Sequence, residues 1–126
     1  MNVNEYQLQA HSFSDYCVPM MIEGRDNAGN KKQFVYPIDY TYPALLLSEE
    51  AGEVAGKYAK AVRDNNGVVT TERKEAIVKE LGDVMWALAE LATLLNVSLE
   101  EVMQKNIDKL ASRKERGVIH GSGDDR

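Results

Sequence analysis

Two short acidic stretches hold the side chains of this 126-residue chain best suited to chemistry. The first is Glu49-Glu50-Ala51-Gly52-Glu53; the second, 26 residues further on, is Glu80-Leu81-Gly82-Asp83. Residues three apart on a helix are neighbours, so Glu50 falls beside Glu53 and Glu80 beside Asp83. Four carboxylates brought to one place repel each other, and something positive must sit among them. Oxygen donors without His or Cys select a hard cation, Mg²⁺ or Mn²⁺. Acidic pairs on helices usually belong to a solvated face. Asp83 argues against that here, being the only charge between Leu81 and Ala89; burying an unpaired carboxylate is costly, and metal coordination removes the cost.

To converge, the two pairs need two helices packed side by side. Pro43 at a first helical position opens one, which runs to about Arg63 and stops in the turn Asp64-Asn65-Asn66-Gly67. Thr71 caps the next, with Glu72 and Glu75 at its positive end, and Asn96 closes it. The short connection predicts antiparallel packing. Ser98 and Glu101 form a capping box flanked by the staple Val97 and Val102, starting a further helix that fades at Arg116-Gly117. An N-terminal helix is expected from an N-cap at Asn4 to about Tyr16. Residues 23–42 are Gly- and Asn-rich, then aromatic around Pro37, and predict a long loop. A calcium loop there fails because its twelfth position is Pro37. With no strand alternation and no fixed-period repeat, the chain is predicted to be all-α. The expectation is one domain, an antiparallel bundle of about four helices completed by subunit association. Residues 1–42 form the N-terminal helix and loop, 43–116 the metal-binding core and 117–126 a Gly-rich tail.

Composition narrows the function. Apolar residues make up 44% and charged ones 28%, which suits a globular domain. Twenty acids against fifteen bases, a net charge of -5, give no electrostatic footprint for nucleic acid. The apolar stretch Met85–Leu95 is broken by Glu90 and falls short of the roughly 20 residues that span a bilayer. A polar Met1–Ala10 and the single Cys17, read as a small buried hydrophobe, suggest a reducing cytoplasm. His11 and His120 are too few for a zinc site, and Ser122 has no His and Asp partners for nucleophilic catalysis.

Leu47, Ala51, Val54, Tyr58 and Val62 form one apolar arc, and Ile77, Leu81, Val84, Leu88 and Leu95 another. Leu45, Gly52, Gly56 and Ala59 form a face of mostly small residues opposite the first arc, and Trp86 projects off the second. One small domain cannot cover all of this, so a homodimer or homotetramer is expected. The N-terminal helix is the alternative cover for Gly52 and Gly56. On the last helix Lys105, Lys109, Arg113 and Arg116 make a basic stripe suited to a polyphosphate.

The pattern EExxE, spacer, ExxD resembles the all-α nucleoside triphosphate pyrophosphohydrolases of the MazG-like family. The likeness runs through Trp86 and Lys105-Asn106-Ile107-Asp108-Lys109-Leu110 to Arg116-Gly117-Val118-Ile119-His120-Gly121-Ser122-Gly123-Asp124, covering residues 43–126. It implies Glu50, Glu53, Glu80 and Asp83 as metal ligands for Mg²⁺ (or Mn²⁺), and Lys105, Asn106 and Lys109 as nucleotide-facing residues. Lys109 and Arg113 are candidate phosphate contacts; Lys57 and Trp86 also face substrate, and Tyr6, Phe13 and the loop aromatics join Trp86 around the base. Relatives typically carry an aromatic where this chain has Ala87, which implies a roomier base pocket. The implied reaction is hydrolysis of a (d)NTP at its α-phosphorus to (d)NMP and pyrophosphate. Glu49 is the candidate general base, or else an exposed carboxylate paired with Lys57 or Arg63. Compactness and tail are similar to the phage-encoded, purine-preferring branch called MazZ, which implies dGTP as substrate and host cytoplasm as location. The rivals are a non-catalytic helical dimerisation module with structural Mg²⁺ and a pyrimidine (dUTP or dCTP) diphosphatase. A di-iron bundle fails for want of Glu-x-x-His pairs.

Overall fold

The computed structural model describes residues 1–14, 21–35 and 41–123. The expectations placed on Tyr16, Cys17, Tyr36, Pro37, Tyr40 and Asp124 lie outside these residues. Four helices and one hairpin follow in order: α1 (Val3–His11), β1 (Met21–Arg25), β2 (Lys31–Val35), α2 (Thr41–Asn65), α3 (Thr71–Leu94) and α4 (Leu99–Glu115). The all-α bundle holds, with a small two-stranded sheet added. No helix among the described residues is long and apolar enough to cross a membrane.

Capping residues set the helix starts. In α1 the cap is Asn2, not Asn4: its side chain accepts from Glu5 N, and the Glu5 carboxylate accepts from Asn2 N, both at 2.9 Å. Asn4 instead donates to Glu100 across 2.8 Å. Helix α2 starts two residues before Pro43, which lies buried in its first turn. Thr70, rather than Thr71, caps α3 through Arg73 N. Ser98 caps α4 as the sequence predicts, accepting from Glu101 N at 3.0 Å. The Glu101 carboxylate, however, takes the Lys105 ammonium at 2.7 Å. Both inter-helix turns use left-handed backbone where Asn or Gly tolerates it: Asn66 and Gly67 after α2, Asn96 after α3.

The predicted long loop contains a hairpin. Asp26 accepts from Ala28 N and Asn30 N, each at 2.9 Å, and Gly29 adopts φ +84°, closing a five-residue turn that sets Arg25 opposite Lys31. The Asp-Asn-Ala-Gly-Asn segment is therefore hairpin-turn chemistry. Among the described residues neither strand comes within 8 Å of a helix between Cα atoms.

Packing is uneven. Helix α1 lies antiparallel across the second half of α3 and the start of α4, around Ala10, Ala89, Ala92 and Leu99. Gln7 ties the three together: its amide donates to Thr93 Oγ1 (3.1 Å) and Val97 O (3.0 Å) and accepts from Leu99 N (2.6 Å), satisfying a free amide in the first turn of α4. Helix α2 touches only α3 among the helices. Much of its apolar arc is open: Val62 is 70% exposed, as are Tyr58 on that arc and Leu81 on the facing one in part. A side chain built at Gly52 or Gly56 would meet nothing within 4 Å, so α1 does not cover that face. Total accessible surface is 9520 Å², against about 6700 Å² for a compact monomer of 14.1 kDa.

Candidate metal centre

The α2–α3 packing brings Glu50, Glu80 and Asp83 together, one carboxylate oxygen of each lying within 4.8 Å of the others. An octahedral Mg²⁺ with oxygens at about 2.1 Å needs donors roughly 3–4 Å apart, so small side-chain adjustments would close this triple on such an ion. All three donors are hard oxygens, matching Mg²⁺ or Mn²⁺. Crowding has an electrostatic signature. The Glu50 carboxyl is pushed above the ordinary range by partial burial first, then by the negative charges of Asp83, Glu49, Glu53 and Glu80. The sole ion pair seen at the cluster among the described residues is Lys57 Nζ to Glu80 Oε1, at 2.9 Å. That hydrogen bond and charge raise the ammonium's pKa, holding it protonated.

The other expected site residues fall less closely together. Glu53 is exposed and outside the triple, near enough to act on Glu50 and Lys57 only through its charge. Glu49 is also exposed. The two cations offered to it by the sequence are engaged elsewhere, Lys57 with Glu80 and Arg63 with Asp64 at 2.6 Å. Trp86 is half-buried; its indole N–H donates to Ala10 O at 3.1 Å and its ring packs on the α1–α3–α4 core. Lys105, Asn106 and Lys109 are exposed on α4, which packs on α1 and α3 but not α2. Arg113 is buried, and its guanidinium donates to Gly123 O at 3.3 Å, engaging the start of the tail. Phe13 is exposed and Tyr6 partly buried.

Asp83 itself is exposed, which corrects the argument that its apolar neighbours must bury it. The carboxylate that is fully buried is Glu90. Its oxygens each lie 3.3 Å from His11 Nδ1, and Oε2 accepts from Ser14 Oγ at 2.5 Å. Sequence reasoning saw Glu90 only as a break in an apolar run. As the one charge between Val84 and Leu95, it carried a stronger burial signal than Asp83.

Comparison with known proteins covers the segment that carries this geometry. The model of the MazG nucleotide pyrophosphohydrolase domain matches residues 41–118, spanning α2 to the end of α4. The chain is 52% identical over 86 residues to the Gene 37 protein of Mycobacterium phage L5, covering 68% of this chain and 75% of that protein. It is 38% identical over 79 residues to the protein YvdC of Bacillus subtilis (56% and 71%). It is 29% identical over 93 residues to a phosphoribosyl-ATP pyrophosphatase of Bacillus cytotoxicus (71% and 85%). No solved structure matches. With the matched segment holding both acid pairs and the helices that align them, the chain belongs to the MazG nucleotide pyrophosphohydrolase family.

Proposed function

We propose that the protein is a divalent-cation-dependent nucleoside triphosphate pyrophosphohydrolase that converts a (d)NTP to (d)NMP and pyrophosphate, with dGTP the leading substrate. The observation that carries this reading is the convergence of Glu50, Glu80 and Asp83 oxygens within 4.8 Å. Glu53, on the same helix as Glu50, completes the proposed ligand set from outside the triple. A divalent cation bound there supplies charge neutralisation on phosphate oxygens and acidifies a bound water.

The chain's own residues do the rest. Glu49, next to Glu50 and exposed, is proposed to take the proton of a water attacking the α-phosphorus, as the bond from that phosphorus to the bridging oxygen breaks and pyrophosphate leaves. Lys57 holds Glu80 and keeps a fixed positive charge at the edge of the cluster. Lys105, Asn106, Lys109 and Arg113 are proposed to reach the nucleotide, the α4 surface coming to the cluster through association of copies as a homodimer or homotetramer. The surface excess, the open arc on α2 and the uncovered glycine face support association.

The test is a panel of all common NTPs and dNTPs with Mg²⁺, scored for pyrophosphate. The expected result is pyrophosphate release that chelation abolishes, fastest with dGTP. A preference for dUTP or dCTP would move the base choice and leave the metal chemistry in place. Absence of both pyrophosphate release and Mg²⁺ binding would sink the proposal and leave a helical association module.

A further inference from the structure

Arg73 has no role in the reading above, although it reaches the residues that do. It is the third residue of α3; its backbone N–H donates to the Thr70 cap, and its side chain crosses onto α2. There Nη1 donates to the Lys57 carbonyl oxygen at 3.1 Å. Lys57 in turn sends its ammonium back to α3, to Glu80 Oε1 at 2.9 Å. The two ends of this loop, Arg73 and Glu80, are seven residues apart on α3, two turns along one face and about 10 Å along the axis. Glu50 precedes Lys57 by the same seven residues on α2. One residue of α2 is therefore gripped twice from α3, by its carbonyl and by its ammonium, two turns from Glu50.

Among the described residues α2 touches no helix but α3, so the meeting of Glu50 with Glu80 and Asp83 depends on the register of that one contact. A slip of α2 by one residue would move Glu50 about 1.5 Å along the axis and turn it by about 100°. Packing alone gives a poor account of Arg73. Its Nε is buried with no hydrogen-bond partner among the described residues, which is destabilising, and an apolar side chain of similar length would avoid that cost. A carboxylate has two oxygens, so the ammonium on Oε1 can orient Glu80 and leave the other oxygen for an ion. We infer that Arg73 is a positioning residue for the metal centre: by holding the Lys57 backbone it aims the ammonium that fixes Glu80 in the geometry meeting Glu50 and Asp83. The inference rests on the proposed metal centre and adds to it a residue outside both acid pairs.

Mn²⁺ alone, titrated into the full chain and read by water-proton relaxation, tests this without reference to hydrolysis. Arg73→Met keeps the length and removes the donors; it is expected to weaken Mn²⁺ binding about tenfold, the low end for groups that orient a metal's ligands. Deleting a positive charge near a cation site would by Coulomb's law alone tighten binding, so the sign separates positioning from electrostatics. A merely structural Arg73 predicts instead a lower urea midpoint with the Mn²⁺ affinity of the folded protein unchanged. Arg73→Lys, which keeps a donor and the charge, is expected to recover part of the loss. Lys57→Met removes the ammonium through which Arg73 acts, so in that background Arg73→Met should change Mn²⁺ affinity by less than about twofold. Acylation of Lys57 in metal-free protein, followed by peptide mass, should be several times faster in Arg73→Met than in wild type as the ammonium leaves Glu80. Should circular dichroism show Arg73→Met to be misfolded, Arg73→Gln carries the same predictions. Unchanged Mn²⁺ affinity in the folded variant, or a full effect that survives Lys57→Met, overturns the inference and leaves the metal centre standing. A wild type that binds no Mn²⁺ overturns the metal centre and the inference with it.

Discussion

Helix α3 carries carboxylates of two kinds. In its first half, Glu80 and Asp83 face Glu50 across the α2 contact, and what surrounds them is more negative charge and one ammonium. Two turns later Glu90 is sealed from solvent, accepting from Ser14 Oγ and lying against His11 Nδ1, both from the N-terminal segment. A buried carboxyl group hydrogen-bonded within its own chain is finished there and acts as scaffold. A half-exposed anion among anions is unfinished and waits for a cation. The same division runs through the packing: the α1–α3–α4 corner closes on itself with Gln7 and Trp86 satisfied, while the α2 half leaves glycine and apolar surface bare.

The largest effect should come from the unfinished group. Glu80→Gln or Asp83→Asn is expected to lower pyrophosphate release about a thousandfold, some 4 kcal/mol of transition-state stabilisation. Mn²⁺ affinity read by water-proton relaxation should fall with it, while the urea midpoint stays level or rises. A loss of stability instead would erase the contrast. Glu90→Ala should do the opposite, costing about 3 kcal/mol in urea denaturation because His11 and Ser14 lose a buried acceptor. Glu90→Gln, which keeps an acceptor oxygen, should recover part of the loss, and turnover of the folded fraction should be little changed.

The smallest effect is a matter of pH. The folded carboxyl of Glu50 titrates above its ordinary value, so its favourable contribution is complete below about pH 4 and is lost as pH rises through the raised value. In metal-free protein Glu50→Gln should therefore raise Tm at pH 7 by no more than about 2 °C, solvent screening limiting the gain, and by nothing near pH 4. A stabilisation that persisted at acid pH would show that shape, not charge, was relieved.

What the sequence made legible was local. Ser98 as a cap and the Asn66-Gly67 turn depend on residues a few positions apart, and the structure places them close to expectation; of the two (i, i+3) acid pairs it brings Glu50, Glu80 and Asp83 together. The hairpin was missed because five-residue strands carry too little alternation, and because Asp26 and Gly29 act through turn geometry that resembles loop composition. Glu90 was missed for another reason. Its partners lie 76 and 79 positions away, and nothing in the order of residues announces which donors a buried carboxylate will meet. Glu53 shows the limit of periodicity: sharing a flank with Glu50 did not carry it into the triple. Asp83 joins the triple for a reason other than burial, since its neighbours are apolar yet its own face is open.

Trp86 is the chain's sole tryptophan, and its indole nitrogen is fastened to a carbonyl of α1 one turn beyond Asp83. Fluorescence therefore comes with a ready-made gauge: a red shift of the emission reports α1 lifting away, and quenching by paramagnetic Mn²⁺ reports ions arriving at the acids. One chromophore can follow both halves of the molecule without a label.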